Sequence, residues 1–185
     1  NDWRLPQQEA PLLLPEFVQK DYKFIAFSKN RQGLEVVLKE TKSKLKESYE
    51  NQHNSINYEE KVTGYRGGYT PMERRKIEKK LADGELSGVI ATNALELGID
   101  IGDIDVVVNM GFPYTKASFL QQIGRSGRKG EKSYAVLILN MYNTIDQFVF
   151  LNTDWLLDNK VENAIINKDN LHVQTAHLRA AAAEL

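Results

Sequence analysis

Leu86-Ser87-Gly88-Val89-Ile90-Ala91-Thr92 (LSGVIAT) and Ile104-Asp105-Val106-Val107-Val108-Asn109-Met110 (IDVVVNM) decide the fold. Each is a short run of β-branched and apolar residues bounded by polar or glycine-bearing turns, which is how a buried strand reads. Neither alternates apolar with polar residues, so both faces are expected to be covered. Near-continuous apolar strands of this kind belong to parallel sheets flanked by helices. Between them, Asn93–Leu97 reads as a short helix, followed by the glycine-bracketed loop Gly98–Asp103.

The same alternation extends in both directions. Tyr22–Phe27 (YKFIAF), Lys61–Arg66 and Ser133–Leu139 (SYAVLIL) read as further strands. Arg31–Leu45 carries Leu34, Val37, Leu38 and Leu45 on roughly one helical stripe. Thr70-Pro71-Met72-Glu73 opens another helix, with Thr70 as N-cap, Pro71 at the first helical position and Glu73 completing a capping box. Ala117–Ile123 reads as a helix as well. The expected fold is α/β, a parallel sheet with helices on both faces and right-handed crossovers. Residues 1–20 hold three of the five prolines and read as a linker ending in a short helix at Leu12–Gln19. Residues 21–142 form the α/β domain. Residues 143–185 read as a helical extension, with helices at Asn143–Leu157 and Val173–Leu185. Asn rather than Met at position 1, and an end inside the helix-forming run Ala180–Leu185, are expected of a piece of a longer chain.

The 185 residues are 42% hydrophobic and 26% charged, a balance that supports a core without staples. No run approaches the ~20 apolar residues of a membrane span. The 24 basic and 25 acidic residues leave a net charge of −1. That excludes a generally basic coat but not a local phosphate-binding surface. With no cysteine there is no disulfide, thiolate metal site or thiol nucleophile. His53, His172 and His177 lack metal-ligand spacing.

In open parallel sheets, ligands bind outside the carboxyl ends of the strands. The residues there are Ser28-Lys29-Asn30-Arg31, Gly67-Gly68-Tyr69-Thr70, Thr92-Asn93 and Gly111-Phe112-Pro113. Thr92 reads either as an ordinary N-cap or as part of an anion site made with the amides after it. Arg31 reads as a surface arginine or a phosphate contact. Asp100 is a turn aspartate or a partner for a ribose or an arginine. Tyr65 and Tyr69 flank the rim, where an aromatic ring can meet a base. Gly124-Arg125-Ser126-Gly127-Arg128 sets two arginines three residues apart between glycines, a pattern suited to charge on a transferring phosphoryl group. A basic loop is the plainer reading. The chain has no G-x-x-x-x-G-K-[ST] phosphate loop and no DExD or DExH cluster. It is equipped to bring arginines to a nucleotide, not to cradle one alone.

Taken in order, these pieces resemble the second RecA-like domain of superfamily 2 DEAD/DEAH-type helicases. Phe27–Arg31 resembles motif IV, and Tyr65–Arg75 (YRGGYTPMERR) the glycine-and-arginine motif after it. Ala91–Ile101 (ATNALELGIDI) resembles motif V, and Gln121–Arg128 (QQIGRSGR) motif VI. The wording is similar to YprA/MrfA-type DNA helicases, with the Lhr type as a relative. Typical DEAD-box RNA helicases begin motif VI with His-Arg, where Gln121-Gln122 stand, and place an arginine where Leu97 stands. The resemblance implies a RecA-like fold and an ATP-dependent, 3′-to-5′ DNA translocase. It implies Arg128 as arginine finger with Arg125 beside it, and Gly98, Asp100 and Gln121 on the nucleotide side. Arg31, Gly67, Arg74, Thr92 and Asn93 would contact the nucleic-acid backbone. ATP and Mg2+ would be held mainly by an N-terminal RecA-like domain of the same protein, so this chain alone is expected to be inactive. Single-stranded or duplex DNA and that domain are the implied partners, in the cytoplasm or nucleoid. The competing readings are a non-catalytic nucleic-acid-binding module, an RNA helicase of the same superfamily, and an unrelated flavodoxin-like domain. The last would need a glycine loop after the first strand, which Ser28–Arg31 lacks.

Overall fold

The computed structural model describes residues 3–50, 57–92, 103–127, 132–158, 160–162 and 170–184. Five parallel strands form one sheet: β1 (Phe24–Ser28), β2 (Val62–Tyr65), β3 (Gly88–Ala91), β4 (Val106–Met110) and β5 (Tyr134–Ile138), in the order β2-β3-β1-β4-β5. Phe24 lies level with Gly88 on one side and Val106 on the other, so the three central strands share a register. β1, β3 and β4 are buried along their whole length, as their unbroken apolar runs require.

Alternate strand residues feed two cores. Phe24, Ala26, Ile90, Val106 and Val108 pack against α1 (Pro6–Gln19) and α2 (Arg31–Glu50) through Leu14, Leu34, Val37 and Leu45. Ile25, Phe27, Val89, Ala91 and Val107 face the other way, onto Leu81 and Ile77 of α3 (Pro71–Ala82) and Ile123 of α4 (Lys116–Ile123). Helices therefore cover both faces.

α3 starts as its sequence dictates. Thr70 is the N-cap, its hydroxyl accepts from the Glu73 amide at 3.3 Å, and the Glu73 carboxylate accepts from the Thr70 amide at 2.7 Å. The Thr70 amide, and the Thr70 hydroxyl donating at 2.8 Å, hold the Glu73 carboxyl below the usual carboxylate range.

α1 differs from its expected form. The helix runs from Pro6, through Pro11 and Pro15, where a linker leading to a shorter helix was expected. Pro6 suits the first turn, but the inner prolines each remove a backbone bond. Packing outweighs that loss: Ala10, Leu14 and Val18 recur on one stripe and are buried between α2 and the sheet. Burying a side chain such as Leu14 stabilises by roughly 1.5–3 kcal/mol. Leu14→Ala would cost about 2–5 kcal/mol and is the single change most able to loosen this helix.

Beyond β5, the expected single helix over 143–157 is two, α5 (Thr144–Leu151) and α6 (Thr153–Leu157), divided at Asn152. Phe112, Phe119, Val149, Leu156 and Trp155 form a third core that joins them to α4. The last helix, α7 (Leu171–Glu184), buries none of its residues. No described helix is long and apolar enough to cross a membrane.

Candidate nucleotide and nucleic-acid interface

Four of the residues singled out above stand at the carboxyl rim of neighbouring strands. Arg31 follows β1 as the first residue of α2, and its side chain is exposed. Asn30 caps that helix, its side-chain oxygen accepting from the Gly33 amide at 2.7 Å. Gly67 is exposed in the loop after β2. Arg74 folds back on this loop, donating to the carbonyls of Gly67 at 2.7 Å and Tyr69 at 3.2 Å. Two of its five N–H donors are thus spent on the loop. Thr92 follows β3 directly and donates its amide to Tyr65 at 3.3 Å, extending the β2–β3 ladder. Asn93, Gly98, Asp100 and Arg128 lie outside the described residues, as does the expected helix Asn93–Leu97.

Gln121 and Arg125 form a second group, on the last turn of α4 and just past its end. Gln121 is exposed and Arg125 half-buried. Gly127 has φ +86°, and a Cβ there would meet Ser133 Oγ at 2.7 Å. Glycine is therefore required where the G-R-S-G-R reading has it.

Tyr65 is not available to a base. It is 1% exposed, and its hydroxyl donates to Glu78 at 2.7 Å. Burial first, and the Glu78 carboxylate second, push its ionisation far above the ordinary tyrosine value. Tyr69 is half-buried with the Arg66 guanidinium 5.2 Å from its ring centre. Arg66 also pairs with Glu35, tying the glycine loop to α2.

Between β1 and β4 the chain connections diverge. β1 leads through α2 to β2 on one side, and β4 through α4 to β5 on the other. Such a switch point opens a crevice at the strand ends. A cavity of about 160 Å3 lies there, lined by Ser28, Lys29, Asn109, Gly111, Tyr114 and Gln122 among others. Asn109 donates its side-chain amide to Gln122, while its buried Oδ1 has no hydrogen-bond partner among the described residues. Lys29 Nζ lies 3.4 Å from Asp146 Oδ1 and 4.8 Å from the centre of the Tyr114 ring. Asp146, fully buried, also accepts from the amides of Phe112 at 3.3 Å and Asn140 at 2.7 Å. One carboxylate thus joins the ends of β1, β4 and β5 to α5. Tyr114 has φ +64°, and the amide of Thr115 bonds back to the Pro113 carbonyl at 2.8 Å. That is a γ-turn of the rare positive-φ kind with a bulky residue at its apex. Such a conformation costs on the order of 1–3 kcal/mol.

The start of α4 is anchored from behind. Lys116, 1% exposed, donates to the Trp155 carbonyl at 2.6 Å and to Asp158, with its ammonium 5.4 Å from the Trp155 ring centre. Glu162 accepts from the first backbone amides of α4, Lys116 and Ala117. Hydrogen bonds from Lys116, through its ammonium and its amide respectively, hold the Asp158 and Glu162 carboxyls below their usual range. Sequence reading missed Asp146, Lys116 and Tyr114. The first two are linked to partners far along the chain, and a tyrosine gives no signal for a left-handed turn.

A five-stranded parallel sheet with helices on both faces and polar loops at its carboxyl rim defines a RecA-like α/β domain. The chain belongs to the helicase conserved C-terminal domain family, which it matches over residues 10–130, and within superfamily 2 it is of the YprA/MrfA type. It is 37% identical over 177 residues to the ATP-dependent helicase YprA of Bacillus subtilis, covering 96% of this chain and 22% of that protein. It is 40% identical over 179 residues to the ATP-dependent helicase hrq1 of Schizosaccharomyces pombe, covering 96% of this chain and 16% of the relative. The crystal structure of the DUF1998 helicase MrfA bound to DNA and AMPPNP superposes with a TM-score of 0.84 at 36% identity, over 100% of this chain and 25% of that one. The chain thus spans about a fifth of the length of the curated relatives it matches.

Among the described residues no group of three His, Cys, Asp or Glu is placed to hold a metal ion.

Proposed function

We propose that this chain is the second motor domain of an ATP-dependent DNA helicase or translocase. The observation that carries the reading is the alignment of Arg31, Gly67 with Arg74, and Thr92 at the carboxyl ends of the adjacent strands β1, β2 and β3. A nucleic-acid strand laid across those three ends meets an exposed guanidinium, a hydroxyl and an exposed glycine backbone in succession, with Asn93 next to Thr92 in sequence. Contacts of this kind go to phosphate and sugar, so they position the strand without reading its sequence.

Arg125 and Arg128 would reach ATP held mainly on a preceding RecA-like domain of the full-length protein, with Gly98, Asp100 and Gln121 lining the same cleft. ATP supplies the reaction there, and this chain's share is to bring positive charge to the transferring phosphoryl group. Closing of the two domains would deliver the arginines, and opening after hydrolysis would withdraw them. A step along DNA follows if the closed and open states differ in DNA affinity. The protein would work in the cytoplasm or nucleoid, where its DNA lies, and the isolated chain would not hydrolyse ATP.

The test is DNA binding by the full-length protein across a salt series. Arg31→Ala and Thr92→Ala are expected to weaken binding to single-stranded DNA and to flatten its salt dependence, by about one unit of log–log slope for the lost arginine contact. Unchanged affinity and slope in both variants contradict the assignment. ATPase stimulated by RNA and not by DNA would move the protein to the RNA helicases. DNA binding with no hydrolysis at all would leave a binding module.

A further inference from the structure

Tyr114 is a large aromatic side chain in a place that its own backbone resists. Its φ is +64°, and the residue is 65% exposed, so no interior packing accounts for the conformation. Three neighbours hold it in position. Pro113 stiffens the turn before it. The Pro113 carbonyl accepts the Thr115 amide and closes the turn. Lys29 lies against the ring, at 4.8 Å from its centre, leaving the rest of the ring to solvent.

Lys29 is held there in turn. Its ammonium is paired with the buried Asp146, and Gly111, at φ +83°, leaves room for it: a Cβ on Gly111 would meet Lys29 Cε at 2.6 Å. Lys29 is two residues from Arg31, on the same strand-end loop. Beneath the ring, the cavity between β1 and β4 presents the amides of Asn109 and Gln122 and the hydroxyls of Ser28 and Ser118. Asn109 is 1% exposed, and among the described residues its Oδ1 has no hydrogen-bond partner. The space of about 160 Å3 holds on the order of five waters. An exposed ring fixed over a cation, beside a small polar cavity, suits a flat group that stacks and carries polar atoms at its edge. A nucleobase has both features.

We propose that Tyr114 is a stacking platform for one base of the bound DNA strand, at the β4 end of the rim whose β1 end holds the backbone. This rests on the DNA-binding reading above. The strand would run from Arg31 past Lys29, with one base lying on the exposed face of Tyr114. Stacking of this kind tolerates any base, since every base has a π face.

The experiment uses the full-length protein and two fluorescein-labelled probes, a single-stranded oligothymidylate and an abasic oligonucleotide of the same length. Tyr114→Ala is expected to lose about tenfold in affinity for oligothymidylate and nothing on the abasic strand. Tyr114→Phe and Tyr114→Trp are expected to bind as wild type does. Tyr114→Gly, which relieves the left-handed strain, is expected to show the same selective loss without a lower Tm. Wild-type affinity of both Tyr114→Ala and Tyr114→Gly for oligothymidylate would overturn the proposal, as would equal losses on both probes. A raised KM for ATP with unchanged DNA affinity would overturn it too, by making adenine the stacked base. If wild-type protein binds neither probe, the DNA-binding reading itself falls, which separates that failure from this one.

Discussion

The rim at β2-β3-β1 and the layer behind β4 use the same residue types for opposite ends. On the rim, Arg31 is exposed and Arg74 spends only two of its donors on its own loop. Behind β4, Lys116 is 1% exposed and bonded to the Trp155 carbonyl and Asp158, and Asp146 is fully buried among three donors from three loops. A cation whose donors are satisfied inside the fold is a strut, whereas one whose donors face water is free to take a phosphate. Sorting the basic residues this way separates positions that keep the domain in shape from positions proposed to meet a ligand.

The largest contrast is in stability. Asp146→Ala leaves two backbone N–H groups and the Lys29 ammonium without their acceptor, and is expected to destabilise by about 3 kcal/mol in urea unfolding. Arg31→Ala is expected to stay within about 0.5 kcal/mol of wild type. Equal losses in the two variants would break the distinction between strut and contact.

A smaller effect is set by pH. The Asp158 and Glu162 carboxyls are depressed, so their contribution is complete above the ordinary carboxylate range of about 4 and is lost as pH falls through their lowered values. The contact between α4 and the extension should therefore loosen below about pH 4. Hydrogen exchange at the first amides of α4 would register it. Lys116→Met should remove the Asp158 share of that pH dependence and Glu162→Gln the share carried by the backbone amides, and an unchanged profile in both would show that the carboxylates do not hold the helix.

Much of the fold was legible because the responsible signals are local. The apolar runs of β1, β3 and β4 are unbroken, and Thr70-Pro71-Met72-Glu73 carries its own cap. α1 was less so, since Pro11 and Pro15 argue against a helix that only its burial against α2 and the sheet sustains. The rim residues were legible from the rule that ligands sit at strand carboxyl ends. The struts were not: Lys29 meets Asp146 across 117 positions and Lys116 meets Asp158 across 42, distances over which a single sequence shows no pairing. Tyr65 misled for the same reason, because its partner Glu78 takes the ring inside.

The central claim is that this chain lends arginines to ATP hydrolysis coupled to DNA. Its most direct test is ATP turnover by the full-length protein with and without single-stranded DNA, for wild type and Arg128→Ala. The account predicts DNA-stimulated hydrolysis in wild type and a loss of roughly 10³-fold or more in the variant. Stimulated hydrolysis that is indifferent to Arg128 would contradict it.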